Sequence, residues 1–226
     1  MSTRVGQEIL VLRFEPPAQL ELLISDPAVP RTGPAVLLVA DCIDLDRWRA
    51  EPLEPQQAGW TEIALGYHCE ARGEPATAFH FPFLLLSGSR GDNGMSLADV
   101  ELTRFHAACP DFDGPAAGRR VEATARTFAG APLAEVEATL ERAAPGELPA
   151  GLLRWVNRVS YPDVTLPGAQ LDAGLWLVPA QDCEVADEWV GRGSATLGAA
   201  IGWSGVVEGE AWHYGTVFTL DAVEAL

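Results

Sequence analysis

The sequence predicts a mainly β protein, with antiparallel strands forming a single domain over residues 1–226. Several segments alternate apolar and polar residues with a period of two, and Gly, Pro, Asn or Asp residues separate them. No segment repeats with a period of 20–50 residues, which argues against solenoids and propellers. No Gly/Ser linker or break in composition divides the chain. One mostly antiparallel β domain is therefore the economical interpretation.

The composition limits the possible partners and compartments. The net charge of −17 argues against binding to nucleic acids or to anionic membrane surfaces. No signal peptide is evident and no apolar run approaches the roughly 20 residues that span a bilayer, so we expect a cytoplasmic protein without a membrane segment. The four cysteines form no CxxC pair and the four histidines have no metal-ligand spacing. We therefore expect reduced thiols and no metal site.

The strand candidates follow from alternation and from flanking turn residues. They are residues 7–14, 35–41, 61–70, 79–86, 98–102, 121–128, 152–159, 170–178, 195–201 and 215–220. Residues 19–24 fit a helix or a strand. Residues 133–143 fit a helix by the spacing of Leu133, Val136 and Leu140, and a strand by the alternation of Val136, Ala138 and Leu140.

The segment from residue 60 to residue 102 contains the best candidate for chemistry. Glu62 would share one face of a strand with Ala64, Gly66 and His68. A carboxylate with such small neighbours has open space in front of it. It would act as a general acid or base if burial raised its pKa. The alternative is an exposed glutamate on a strand edge, which is the commoner situation.

This order of segments resembles the acetoacetate decarboxylase family. Residues 60–62 (Trp-Thr-Glu) are similar to the family's Tyr-x-Glu strand, and residues 97–102 are similar to the segment after its lysine pair. Weaker similarities are found at residues 130–141, 154–157 and 189–197. The resemblance implies a cone-like antiparallel β barrel, a homo-oligomer and a site shaped for keto acids and related carbonyl compounds. For residues 133–143, the resemblance favours a strand that forms a second hairpin.

The chain departs from the family at its defining chemistry. In the family, one lysine forms a Schiff base with the substrate and a second lowers the pKa of the first. Met95 and Ser96 stand at those positions, where they would only contact the substrate. The sequence contains no lysine, and arginine does not form Schiff bases because its guanidinium stays protonated. Schiff-base decarboxylation is therefore excluded.

Two further residues are candidates by the same resemblance, and His68 is a candidate by its place on the predicted face of Glu62. The family's second glutamate falls on Val39, and Asp41, on the same face, would replace it; the alternative is a cap or turn residue. Arg90 resembles the arginine of the family's Gly-Arg-Glu loop and would hold a substrate carboxylate, unless it is an exposed loop residue. His68 would contact the substrate, and we expect His68 and His80 to approach each other across a hairpin.

The predicted function is a small-molecule enzyme of secondary metabolism. It would be a cyclase, isomerase or lyase acting on a keto acid or polyketide-like carbonyl compound, without a Schiff base and without a cofactor. Glu62 and Asp41 would be catalytic. The alternative is a non-catalytic small-molecule-binding protein or pseudoenzyme on the same fold, because the missing lysines and glutamate fit that interpretation equally well.

Overall fold

The structure is a computed structural model, and it describes residues 3–44, 59–71, 73–88, 98–102, 119–127, 131–157, 176–179, 181–220 and 224–225. Within these ranges twelve strands form one sheet. They are β1 (Thr3–Phe14), β2 (Arg31–Asp44), β3 (Gly59–Ala71), β4 (Glu74–Gly88), β5 (Ala98–Leu102), β6 (Arg119–Thr127), β7 (Pro132–Ala143), β8 (Arg154–Asn157), β9 (Trp176–Pro179), β10 (Gln181–Leu197), β11 (Gly205–Leu220) and β12 (Glu224–Ala225).

The sheet has the strand order β12-β9-β8-β4-β3-β2-β1-β11-β10-β7-β6-β5. Every pair is antiparallel except β4 and β8, which are parallel. The edge strand β5 also contacts β3 and β4, so the sheet curls back on itself in the manner of a barrel. The predicted mainly β, antiparallel architecture is confirmed.

The strands β1, β2 and β3 bury side chains on both of their faces. Leu10, Val39 and Ile63 belong to the larger of two apolar clusters, which also contains residues of β6, β7, β10 and β11. Ile9 and Ala40 point the opposite way and belong to a smaller cluster. Because successive side chains of a strand alternate in direction, these residues define a large-core face and a small-core face.

One helix, α1 (Ala18–Ile24), settles the ambiguity of residues 19–24. Leu20 and Ile24 lie one turn apart and are both buried in the larger cluster. Leu22 and Leu23 remain exposed, with 79% and 46% of their surface accessible. The helix therefore buries one side against the sheet, whereas a strand would have placed Leu22 on the same face as Leu20 and Ile24. It is not long enough to span a membrane, and the described ranges contain no helix that is.

The second ambiguity is resolved as a strand, as the resemblance favoured. In β7 the buried residues alternate with exposed ones, and Val136, Ala138 and Leu140 all face the larger cluster. Glu135 and Glu137 face outward. Pairing with β6 on one side and β10 on the other satisfies the backbone of this segment, so the helical spacing of its leucines has no effect.

Two predicted strand boundaries near the end of the chain are wrong. The strand predicted at residues 195–201 ends at Leu197, where a 3₁₀ turn (Ala199–Ile201) follows and ends at Gly202 with φ 92°. The same strand extends back to Gln181. Its exposed side carries charged residues, which weakened the apolar signal.

The strand predicted at residues 152–159 begins later than expected. A 3₁₀ turn (Ala150–Leu153) occupies its start, and the strand begins at Arg154. Leu152 is buried in the smaller cluster from this turn, which explains its apolar character without a strand.

The strand predicted at residues 215–220 extends back to Gly205.

Candidate active site

Asp41 lies inside β2, directly opposite Glu8 of β1. The interpretation of Asp41 as a cap or turn residue is therefore wrong. Directly opposed side chains in an antiparallel pair have Cβ atoms about 4.5–5.5 Å apart, so the two carboxyl groups are close neighbours. Burial, and then the charge of Glu8, raise the pKa of Asp41 from 3.8 to about 7. A group of this pKa can both give and take a proton near neutral pH.

The neighbouring strand β11 adds a histidine to this pair of carboxyl groups. His213 Nε2 lies 2.7 Å from Glu8 Oε1, and both residues are only 4% exposed. A short contact between a buried imidazole and a carboxylate fixes the ring in one orientation. Glu8, Asp41 and His213 together form what we call the acid–histidine cluster. Of these three residues, the sequence predicted only Asp41 as a site residue. It indicated neither Glu8 nor the contact between Glu8 and His213.

A glycine stands beside the acid–histidine cluster on the large-core face. Gly215 of β11 is the Cα partner of Glu8. A Cβ atom at Gly215 would lie 3.7 Å from the carbonyl oxygen of Ala186, which is an ordinary van der Waals contact and not a clash. Within the cluster Asp41 is partly exposed, whereas Glu8 and His213 are shielded from water.

Glu62 points to the opposite face of the sheet from Asp41. Its Cα partner on β2 is Ala40, whereas the partner of Asp41 on β3 is residue 61. The two predicted catalytic carboxyl groups are thus adjacent in the strand pair but separated by the sheet itself. The structure does not bring them together in one site.

The surroundings of Glu62 are a thiol and an amide. Cys42 is hydrogen-bonded to Glu62, and Gln7 Nε2 donates to Cys42 Sγ at 3.1 Å. Burial, and then the charge of Glu62, raise the pKa of the Cys42 thiol well above its usual value. A thiol of this kind stays protonated and is a poor nucleophile. The small-core face therefore has polar groups, but not the coupled acids of the large-core face.

The open space predicted in front of Glu62 depends on its small neighbours Ala64 and Gly66. Ala64 is buried in the smaller cluster. Gly66 does not open a cavity, because a Cβ atom there would lie 1.8 Å from the carbonyl oxygen of His80. The glycine instead lets β4 approach β3 closely at an irregularity in their pairing. The prediction that Gly66 makes room for a ligand is wrong.

His68 lies on the same face as Glu62 but far along β3. They are six positions apart along the strand, which corresponds to roughly 20 Å. Arg13 Nε donates to His68 Nε2 at 3.2 Å, and burial together with the Arg13 charge lowers the pKa of His68 from 6.5 to about 4. The imidazole is 1% exposed and lies against Gly151, where a Cβ atom would be 2.6 Å from its Nδ1. These contacts are those of a packed core residue.

His68 and His80 do not approach each other as a pair. The Cα partners across the β3–β4 hairpin are His68 with Phe79, and Tyr67 with His80. His80 therefore lies on the other face, with its ring in an edge-on arrangement 5.4 Å from that of Tyr67.

Three predicted substrate-contacting residues, Arg90, Met95 and Ser96, lie outside the described residues, and their roles stay predictions. Val39 is described, and it shares the large-core face with Asp41, as alternation predicts. Across the described ranges, no three His, Cys, Asp or Glu side chains are grouped so that they could hold a metal ion.

Comparison with solved structures shows similarity over the whole chain. An acetoacetate decarboxylase-like enzyme from Sphingomonas wittichii RW1 matches with a TM-score of 0.74 and 21% identity, covering 100% of this chain and 92% of that one. The enduracididine biosynthesis enzyme MppR complexed with pyruvate matches with a TM-score of 0.72 and 17% identity, covering 100% and 90%. Acetoacetate decarboxylase from Legionella pneumophila matches with a TM-score of 0.65 and 14% identity, covering 100% and 86%.

The sequence comparisons give no match. No family model matches the chain, and no curated protein sequence matches it. The structural likeness at 14–21% identity therefore shows the fold, and the roles of individual residues must be argued from the chain itself.

Proposed function

On the acetoacetate decarboxylase-like fold that this chain adopts, we propose an enzyme that moves a proton at the carbon next to a carbonyl group of a small molecule, without a Schiff base. The acid–histidine cluster carries this proposal. Its partly exposed Asp41 has a pKa of about 7, which suits an acid or base that works near neutral pH. Steps of this kind occur among isomerases, among cyclases that form carbon–carbon bonds and among lyases that break such bonds.

The proposed step begins with Asp41 as a carboxylate. It takes the proton from the carbon next to the carbonyl, the C–H electrons form the new C=C bond, and the carbonyl oxygen takes the negative charge. Return of the proton from Asp41, to the same carbon or to another one, restores a carbonyl compound. Glu8 acts on Asp41 through its charge, and His213 holds Glu8 in place at 2.7 Å. Arg90 remains the proposed clamp for a substrate carboxylate.

The absence of lysine supports a route through an enol rather than through an imine. All fifteen basic residues other than histidine are arginines, so no side chain of this protein can form a Schiff base. A solved relative by fold, MppR, has been determined as a complex with pyruvate, which makes small 2-oxo acids reasonable first probes.

Solvent deuterium exchange tests the proposal without knowledge of the natural substrate. Pyruvate, acetoacetate and acetylacetone would each be incubated with the protein in D₂O, and incorporation at the carbon next to the carbonyl followed by NMR. We expect the wild type to exceed the buffer rate on at least one probe, and Asp41→Asn to return to that rate. Glu62→Gln is the matched control from the opposite face. Exchange that survives Asp41→Asn would contradict the assignment.

A second candidate function is a non-catalytic binding protein. The residues Val39, Met95 and Ser96, which stand where the family has a glutamate and two lysines, favour it. For such a protein, the same probes would raise the midpoint of thermal unfolding in proportion to their binding, but deuterium incorporation would stay at the buffer rate.

A further inference from the structure

We infer that Glu188 is a positioning residue for the acid–histidine cluster and acts through a β-bulge in β10. The catalytic value of this role rests on the proposed function, and the observation behind it is the pairing of β10 with β11. At this bulge Ala186 is the Cα partner of Gly215, and Trp189 is the Cα partner of His213. Asp187 and Glu188 together therefore oppose the single residue Tyr214, which is the definition of a bulge.

The extra residue decides which side chain stands beside His213. In an unbroken ladder, Glu188 would be opposite His213, and Trp189 would point to the other face. With the bulge, Trp189 takes the position opposite His213, and it packs against the larger apolar cluster. An apolar ring in place of a third carboxylate leaves Glu8 as the acid that holds the imidazole.

The bulge is under local strain and needs support. Asp187 has φ 53°, a left-handed conformation that non-glycine residues seldom adopt. Support comes from Glu188, whose Oε1 accepts the backbone N–H of Gly146 at 2.8 Å and whose Oε2 accepts that of Leu148 at 3.1 Å. The backbone carbonyl of Glu188 also accepts the N–H of Ala144 at 2.8 Å.

These three hydrogen bonds tie the bulge to the loop that follows β7. Hydrogen bonds from backbone N–H groups to a carboxylate are stronger than those between neutral groups. Removal of the Glu188 side chain frees the bulge to migrate along β10. The position of Trp189 opposite His213 is then less fixed, and the 2.7 Å contact between His213 and Glu8 opens more often.

The experiment follows the ring Nε2–H of His213 by ¹⁵N NMR, through its rate of exchange with water at a temperature well below unfolding. We expect Glu188→Ala to speed this exchange by about tenfold, because two supporting hydrogen bonds are lost. Glu188→Gln keeps one side-chain oxygen acceptor, so its exchange should lie between those of wild type and Glu188→Ala. Glu184→Ala removes a 77%-exposed carboxylate from the same strand and should leave the rate unchanged.

A merely structural role would lower the unfolding midpoint of Glu188→Ala and leave the His213 exchange rate within twofold of wild type, and that result would overturn the inference. If Glu188→Ala does not fold, Glu188→Gln decides, since wild-type exchange in that variant overturns the inference as well. The readout needs no substrate. If no probe exchanges deuterium but the Glu188 variants show the expected His213 exchange rates, the proposed reaction is rejected and the positioning role of Glu188 stands.

Discussion

The two faces of β1, β2 and β3 differ in their chemistry although they share the same backbone. Glu8 and Asp41 lie on the large-core face, while their chain neighbours Gln7 and Cys42 lie on the small-core face with Glu62. On the first face, two acids share a buried neighbourhood with a histidine. On the second, a thiol stands between an amide and a carboxyl group.

The difference teaches that burial alone does not make a proton-transfer site. Burial raises the pKa of both Asp41 and Cys42. For Asp41 the rise brings the pKa to about 7, where proton exchange is fastest at neutral pH. For Cys42 the rise takes the pKa away from neutrality, so that the thiol becomes inert. The same physical effect thus prepares one face for proton transfer and disables the other.

The largest expected effect is a difference in deuterium-exchange rate between variants of the two carboxyl groups, Asp41 and Glu62. Asp41→Asn keeps the shape of the side chain but removes its transferable proton, so we expect deuterium exchange into a probe to fall by about 10²–10⁴-fold. Glu62→Gln should change the rate by less than about tenfold, because its face does not hold the reacting group. Rates for the two variants and the wild type, measured by NMR on the same probe, check this.

The reverse order of the two effects would move the active site to the small-core face. It would restore Glu62 as the general acid or base and leave Asp41 as a structural residue.

A second prediction compares the free energy of unfolding that is lost when the partner of Glu8 is removed with the loss when its chain neighbour Gln7 is truncated. His213→Ala removes the partner at 2.7 Å from the buried Glu8, and breaking a buried pair in this way costs about 3–5 kcal/mol. Gln7→Ala removes a neutral hydrogen bond to Cys42 and should cost about 1–3 kcal/mol. Urea denaturation gives both values. Equal losses would show that the acid–histidine cluster is no more tightly coupled than its neighbour.

A third prediction uses pH. Folded Asp41 keeps its proton up to about pH 7, whereas the unfolded chain releases it near 3.8, so its contribution to the free energy of unfolding decreases as pH rises between those values. His68 behaves oppositely. Its pKa is about 4 when folded and 6.5 when unfolded, so its contribution decreases as pH falls from 6.5 to 4.

The two variants Asp41→Asn and His68→Asn separate these contributions. Relative to wild type, Asp41→Asn should gain stability as pH rises from 4 to 7, and His68→Asn should gain it as pH falls over the same interval. Denaturant midpoints at several pH values measure both. Parallel pH profiles for wild type and Asp41→Asn would mean that Asp41 titrates normally.

The smallest expected effects come from two non-glycine residues that have positive φ within the described ranges. Asp187 (φ 53°) lies in the bulge near the acid–histidine cluster, and Ala76 (φ 55°) lies near His68. Replacing either by glycine relieves the strain but adds flexibility to the unfolded chain, so we expect gains of at most about 1 kcal/mol. Thermal unfolding measures the gain. A clear loss for Asp187→Gly would show that the bulge depends on the aspartate side chain rather than tolerating it.

The sequence predicted Asp41 as a site residue but missed both of its partners. A signal for them was present, because Glu8 directly precedes the apolar run of residues 9–12 and His213 stands between Trp212 and Tyr214. A polar residue at such a position needs a partner when it is buried. The sequence could not show which partner, because Glu8 and His213 are 205 residues apart.

The sequence by itself determined the β architecture and the absence of Schiff-base chemistry. Alternation with a period of two is a local property, and the lack of lysine is a matter of composition. Tertiary structure alone decided that Asp41 and Glu62 face opposite ways. For residues 133–143, periodicity left helix and strand open, and the pairing with β6 and β10 decided for the strand. The physical reason is the same in each case. Strand register and strand pairing are fixed by long-range contacts, and a shift of one residue reverses the face of every side chain.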